Sequence, residues 1–434
     1  MATHAAGDWQ PGYLRRVVLA SLIGTTIEWY DFFLYGSAAA LVFNKLFFPE
    51  FDPLTGTLLA FTTYALGFVA RPVGGVVFGH FGDRIGRKRL LMLSLILMGI
   101  ATTLIGVLPT YAQAGVVAPI ALILLRLVQG FAVGGEWGGA VLLVAEHGDA
   151  PRRGFWASWP QAGVPAGSLL AAGVLAILAG TQSEADFLSW GWRIPFLLSA
   201  VLVAVGWWIR SSVAESRAFE AALAEEAPPK VPAIEVLREK PGALATGAGL
   251  RLGENVSYYI ITTFSITYMT TAGKLTKAEA LDCILIGAAL HFCAIPLLGR
   301  LSDRVGRRPV YAGGALGLAG FAFLFFGLIG SGSVVKAVAG IAIALLLHGA
   351  MYGPQAAFIT ELFPTRYRYS GASIAYQLTS IVAGAPALII ASLLYGLHND
   401  PLPVSLYVGA CCLVSGLTAL LAGETRGIDL ASIR

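Results

Sequence analysis

Charge is what this 434-residue chain has least of. Asp, Glu, Lys and Arg make up 12% of it, about half the share usual in soluble domains, while apolar residues make up 56%. A soluble fold cannot keep so apolar a surface in water, so the bilayer is its solvent. Cysteine is scarce as well. Cys283, Cys293, Cys411 and Cys412 all fall in apolar segments without metal-ligand spacing, so neither a metal site nor redox chemistry is expected of them. The sequence also lacks a phosphate-binding loop, a metal quartet and a nucleophile constellation, which argues against an enzyme and against any cofactor. The polar start, Met1 to Arg16, leads into an apolar stretch too long and too charged for a cleavable signal peptide, and that stretch is expected to remain as the first span.

What is present is long apolar runs. Crossing the hydrocarbon takes roughly 20 residues, and twelve such runs are readable, near 17–44, 54–80, 90–109, 115–145, 154–180 and 193–211, then 243–271, 279–301, 309–330, 335–360, 370–396 and 403–422. The expected fold is an all-α integral membrane protein of twelve transmembrane helices in two pseudo-symmetric six-helix bundles. Its parts are 1–211, a linker at 212–242, 243–422 and a short tail at 423–434. The linker is rich in Glu, Ala, Pro and Lys, with an amphipathic helix expected over Glu215 to Glu226. Most Lys and Arg fall in loops on the side of the amino terminus, which places both termini in the cytoplasm. The net charge of +4 is therefore topological and no sign of nucleic-acid binding.

One charged phrase is written twice. Gly79 to Arg89 reads G-H-F-G-D-R-I-G-R-K-R and Gly299 to Pro309 reads G-R-L-S-D-R-V-G-R-R-P, both fitting G-x-x-x-D-R-x-G-R-[KR] at the inner end of the second span of a half. A duplicated membrane bundle points to transport. In this phrase Asp83 is placed to cap a helix of the other half, with Arg84 or Arg87 pairing with Glu146. Asp303, Arg304 or Arg307 and Glu361 repeat the arrangement, and Gly79 allows close helix contact.

Seven charges lie inside the spans: Glu28, Asp31, Arg71, Arg126, Glu136, Arg251 and Glu254. Each costs roughly 2.5–3.5 kcal/mol at the bilayer centre, on the order of 20 kcal/mol together if unpaired. They must therefore face the bundle interior. Glu28, Asp31 and Tyr35 share one helix face, as do Arg126, Gln129 and Glu136, and Arg251, Glu254 and Tyr258. Three helices are thus expected to carry a polar stripe into one cavity. The register that takes Gly79 to Gly299 also takes Asp31 to Arg251 and Arg71 to His291, so an acid is expected to face a base, and an Arg a His, near the midplane. A structural ion pair is the alternative reading of Asp31 with Arg126, a satisfied interior residue that of His291 and His348, and a packing role that of Glu136.

The doubled phrase resembles the loop signature of the major facilitator superfamily, and R-L-V-Q-G from Arg126 resembles that superfamily's fourth-helix signature tied to proton coupling. Within it, E-W-Y-D-F-F-L-Y-G from Glu28, A-R-P-V-G-G from Ala70, Q-G-F-A-V-G-G-E-W-G-G from Gln129, W-G-W-R-I-P-F from Trp190, E-S-R-A-F-E from Glu215 and E-L-F-P-T-R-Y-R-Y-S-G from Glu361 are similar to the metabolite:proton symporter family, and the run from Tyr30 to Asn44 most resembles its shikimate-carrying members.

The resemblance implies secondary active symport, with a small organic acid and protons as the partners of a single chain in the cell's inner membrane. For the carboxylate the candidates are Arg71 and Arg251, since a guanidinium offers paired donors to a planar anion. Tyr30, Tyr258, Tyr259, Gln161, Gln377 and His291 are the candidates for the rest of the substrate. For the proton they are Asp31 beside Arg126, then Glu28 and Glu254. The contacts of Asp83 and Asp303 are expected to latch the outward-open state. A betaine or other osmolyte symporter is the alternative, and a drug:proton antiporter a lesser one, since the fifth span reads G-V-P-A-G-S-L-L-A-A-G without an adjacent Gly-Pro.

Overall fold

A computed structural model describes residues 11–51, 53–148, 150–215 and 232–433. Among them there is no strand. Six long helices make the first half: α1 Pro11–Ala38, α2 Pro53–Ile85, α3 Arg87–Val107, α4 Val117–His147, α5 Arg153–Thr181 and α6 Arg193–Ser211. The second half holds α7 Pro241–Tyr259, α8 Lys277–Val305, α9 Arg307–Ile329, α10 Val334–Thr360, α11 Arg368–Ala383 and α12 Leu402–Leu421. Each half opens on a helix that runs on through a wider π turn, Ala39–Phe43 after α1 and Ile260–Phe264 after α7. After Gly384, α11 continues as Ala385–His398. Among the described residues, ten helical segments are long and apolar enough to cross a membrane. The other two, α2 and α7, pack among them, α2 along α4 and α11, and α7 along α12 and α11.

The halves meet through α2 against α11 and through α5 against α8. Small residues make these seams thin. A Cβ added at Gly79 would lie 2.9 Å from the Ser370 Cα, and one at Gly299 would lie 2.6 Å from the Gly154 carbonyl oxygen. The first glycine of each copy of the repeated phrase is therefore where one half touches the other.

Its last glycine turns the chain. Gly86 and Gly306 are the only residues between α2 and α3 and between α8 and α9, with φ of 108° and 110°. That conformation is nearly closed to any residue with a Cβ.

The linker holds a helix at Pro232–Glu239, which packs on α11. Most of the amphipathic helix expected over Glu215 to Glu226 lies outside the described residues.

Candidate functional site

The charged residues expected in one cavity form two clusters, one in each half. In the first, Glu28 and Asp31 of α1, Arg71 of α2, and Arg126 and Gln129 of α4 line a cavity together with Phe32, Met98, Gly130 and Val133. The space open in it is about 10 Å³, room for about one water and far below the roughly 300–1,000 Å³ of ligand pockets. A ring-sized guest needs the helices to part.

Asp31 accepts hydrogen bonds from Ser199 at 2.5 Å and Thr102 at 2.9 Å. It does not pair directly with Arg126, and among the described residues neither takes part in an ion pair. Arg126 is drawn instead along its own helix, donating to Gln129 Oε1 at 3.2 Å, with its guanidinium over the rings of Tyr35 at 4.3 Å and Tyr64 at 4.8 Å. Gln129 then donates to Thr102 at 2.7 Å. Base and acid are joined by a relay of two neutral side chains.

Arg71 stands over Phe68 at 4.5 Å, Phe32 at 4.6 Å and Trp29 at 5.8 Å. It too is in no ion pair among the described residues. Ring faces stabilise a desolvated cation by about 2 kcal/mol but leave its charge unneutralised. In the same cavity one carboxylate oxygen of Glu28 and Nε of Arg126 are buried without a hydrogen-bond partner. The cavity thus presents both signs of charge with bonding capacity unspent.

The second cluster lies in the other half. Arg251 pairs with Glu254 at 2.6 Å and donates to the Tyr376 carbonyl at 3.0 Å. Glu254 also accepts from Gln355 at 3.2 Å and faces His348 Nε2 at 3.2 Å, while His348 Nδ1 lies 3.0 Å from His291 Nε2. Asp31 and Arg251, and Arg71 and His291, are equivalent in register, yet each stays in its own half. Aromatic contacts stand between them: Trp29 meets Tyr258 at 6.4 Å, Phe68 meets Tyr259 at 5.8 Å and Trp137 stacks on Tyr376 at 3.8 Å.

Other expected members point elsewhere. Glu136 binds Arg210 of α6 and accepts from Ser94 at 2.8 Å, away from the cavity lining. Tyr30 is buried in the first half, donating to the Pro195 carbonyl at 2.8 Å. Gln161 is held between the Trp137 indole at 2.6 Å and the Tyr352 carbonyl at 3.3 Å. Gln377 donates to the Gly134 carbonyl at 3.1 Å, with its Oε1 buried and unpartnered. Both glutamines reach across from one half to the other. Tyr258 and Tyr259 stand at the aromatic contact itself.

At the end of the bundle where α2 turns into α3 and α8 into α9, the repeated phrase joins the halves to each other. Asp83 accepts from the backbone amides of Tyr369 at 3.1 Å and Ser370 at 2.8 Å, at the start of α11, and Asp303 accepts from those of Gly154 and Phe155, both at 2.8 Å, at the start of α5. A carboxylate suits a helix start, where free amides and the dipole favour negative charge. Of the alternatives, Arg87 and not Arg84 meets Glu146, and Arg307 and not Arg304 meets Asp303 at 2.6 Å and Glu361 at 3.4 Å. Arg84 and Arg304 end a helix on its exposed side, whereas the turn at the glycine aims the next residue inward. The sequence reading missed Arg368, 3.1 Å from Glu146, and Arg153, 2.9 Å from Glu361. Each crosses from the other half, so no spacing along the chain pointed to it.

The sequence profile of the Major Facilitator Superfamily matches residues 21–388. The chain belongs to the major facilitator superfamily. As a member it is a multi-pass membrane transporter, not an enzyme. The shikimate transporter of Escherichia coli (strain K12) is 44% identical to it over 416 residues, 95% of each chain. An inner membrane metabolite transport protein of the same organism is 40% identical over 95% of this chain and 94% of its own. That organism's proline/betaine transporter is 33% identical over 96% of this chain and 85% of its own. A solved structure of a proton:xylose symporter bound to 6-bromo-6-deoxy-D-glucose superposes with a TM-score of 0.81 at 18% identity, over 97% of this chain and 98% of that one. That likeness is one of fold. In this superfamily member the cavity among α1, α2 and α4 is the site for which a cargo must be argued.

Proposed function

We propose that the chain is a proton-coupled symporter that takes up a small organic carboxylate, shikimate or a close relative, by alternating access. The observation that carries this reading is Arg71: a buried cation on three aromatic faces, in no ion pair among the described residues, beside two carboxylates in one cavity. The identity to a shikimate transporter supports the choice of cargo.

The cargo enters from outside and its carboxylate meets the paired donors of Arg71 in a low-dielectric site, where the attraction far exceeds its value in water. Asp31 takes the proton. Its hydroxyl partners Ser199 and Thr102 sit on α6 and α3, so movement of those helices changes how well its charged form is held. The halves, 1–211 and 243–422, rock about the cargo while the linker at 212–242 keeps them together. Both termini lie in the cytoplasm, the membrane is the inner one, and a single chain makes the pathway.

Uptake of labelled shikimate into proteoliposomes under an inward proton gradient tests this, with α-ketoglutarate, succinate and betaine as competitors. Accumulation that a protonophore collapses and shikimate-like acids block is the expected result. Competition by betaine alone would replace the carboxylate with a zwitterion, a reading favoured by the unpartnered Glu28 oxygen beside the arginines and by the 33% identity to proline/betaine transporters. No gradient-driven movement of any of the four would overturn the symporter.

A further inference from the structure

The second cluster has no part in that scheme, yet its members are buried, polar and in line. His291 of α8, His348 of α10 and Glu254 of α7 follow one another at 3.0 and 3.2 Å, and Glu254 is 2.6 Å from Arg251. With both imidazoles neutral, one set of protons satisfies the chain. His291 Nε2–H donates to His348 Nδ1, and His348 Nε2–H donates to Glu254 Oε1. Such a row conducts in one direction.

We propose that His291, His348 and Glu254 form a proton wire whose loading dissolves the Arg251–Glu254 ion pair and turns Arg251 into a second cation for the cargo's carboxylate. The proposal rests on the symport reading and adds a second coupled proton to it. A proton from water binds His291 Nδ1, the Nε2 proton of His291 passes to His348 Nδ1, and the Nε2 proton of His348 passes to Glu254. Both imidazoles end neutral in the other tautomer, and Glu254 ends as a neutral acid. The cluster's charge rises from zero to that of Arg251 alone, which an entering carboxylate cancels.

The surroundings favour this reading over a static pair. Facing Glu254 are Gln355 and Tyr352 of α10, Tyr311 of α9, Tyr376 of α11 and Cys412 of α12. Tyr258 and Tyr259 of α7 complete the set, and Tyr259 stands within the field of both Arg71 and Arg251. Phenols and thiols are uncharged at neutral pH by their ordinary pKa values. Among the described residues the other acid whose field reaches this cluster is Glu28, at Tyr376, and Glu28 lines the first cavity beside Arg71. The histidine rings also touch the aromatic contact between the halves, His348 lying 5.3 Å from Tyr258, which meets Trp29. Rocking of the halves therefore reaches the wire directly.

The test compares His348→Gln with the wild type in proteoliposomes. Glutamine still donates to Glu254 but cannot relay a proton. At an imposed gradient of about one pH unit and no membrane potential, one coupled proton fewer lowers shikimate accumulation about tenfold. Shikimate counterflow, which needs no net proton movement, is expected to fall far less. Equal loss of both in a well-folded variant, or loss of neither, would overturn the wire. A second measurement needs no cargo: infrared difference spectra of the purified full chain in nanodiscs during acidification. The carbonyl band of a neutral buried acid, missing in Glu254→Gln and slow to appear in His348→Gln after a pH jump, supports the wire even if shikimate is not carried. A band unchanged in both variants would overturn it, whatever the fate of the symport reading.

Discussion

Arg71 and Arg126 share a way of living inside a membrane: the guanidinium lies on aromatic rings and, among the described residues, enters no ion pair. A lysine cannot replace this, because its ammonium is a point charge without a flat face or paired donors. Arg71→Lys is therefore expected to raise the KM for a carboxylate about tenfold or more, the scale of one lost charge-assisted hydrogen bond. Uptake kinetics measure it, and an unchanged KM would remove Arg71 from the site. Asp31→Asn keeps an acceptor oxygen for one of Ser199 and Thr102 and turns an amide donor to the other, but cannot gain or lose a proton. It is expected to remove the Asp31 proton's share of the accumulation driven by the pH gradient while labelled cargo still exchanges, and normal accumulation would move the assignment to Glu28. At this scale the sequence disclosed which residues are charged in the membrane and which faces they share. It did not disclose their partners. Glu136 turned to Arg210 because α6, packed on α3 and α1, sends the Arg210 side chain past the Leu91 carbonyl to α4, and helix spacing holds no record of that.

The repeated phrase is the element whose design can be followed letter by letter. Its first glycine thins the seam, its aspartate caps a helix of the other half, its last glycine makes the turn, and the arginine after that turn meets a glutamate at the inner end of α4 or α10. The close-contact glycine, the capping aspartate and the glutamate were expected from the sequence; the turn at the last glycine, and the choice of arginine that depends on its direction, were not. Gly306→Ala forces a Cβ into the ε region at a cost of order 1–3 kcal/mol, and a lowered unfolding temperature in detergent is the expected sign.

The tail after α12 adds a pH-dependent contribution. Burial would raise the Glu424 carboxyl, but the backbone amides of Arg307, Arg426, Arg308 and Thr425 prevail and hold it below its ordinary 4.5. A depressed carboxyl stabilises the fold at pH values above its unfolded-state pKa and loses that contribution as pH falls through the folded one. The stability difference between wild type and Glu424→Gln should therefore be constant near neutrality and vanish in acid. A difference that persists below the folded-state titration would refute it.

Across the whole molecule, the end proposed to face the cytoplasm is held by charges from both halves. Glu146 stands between Arg87 and Arg368, and Glu361 between Arg307 and Arg153. Removing one member of a buried pair costs about 3–5 kcal/mol, enough to reverse a balance between two access states that differ by a few kcal/mol. Glu146→Gln is expected to favour the state open to the cytoplasm, seen as faster labelling of a cysteine introduced on the inner side of α11. Labelling no faster than in the parent would separate Glu146 from the latch. Twelve spans in two halves were legible because apolar length and duplication are local properties of a sequence. The division of the interior into two charged clusters was not, because it depends on aromatic rings such as Trp137 and Tyr376 meeting across the halves.

The contacts proposed as a latch also have an order of assembly. Asp83 is made early but waits for Tyr369 and Ser370, and Arg153 waits for Glu361 and for the carbonyl of Ile428 in the tail. A chain emerges from the ribosome amino end first. Neither inner closure can therefore form while the second half is still being synthesised. The first six helices enter the bilayer with Asp83 and Arg153 still waiting for these partners, which the second half and the segment after α12 supply.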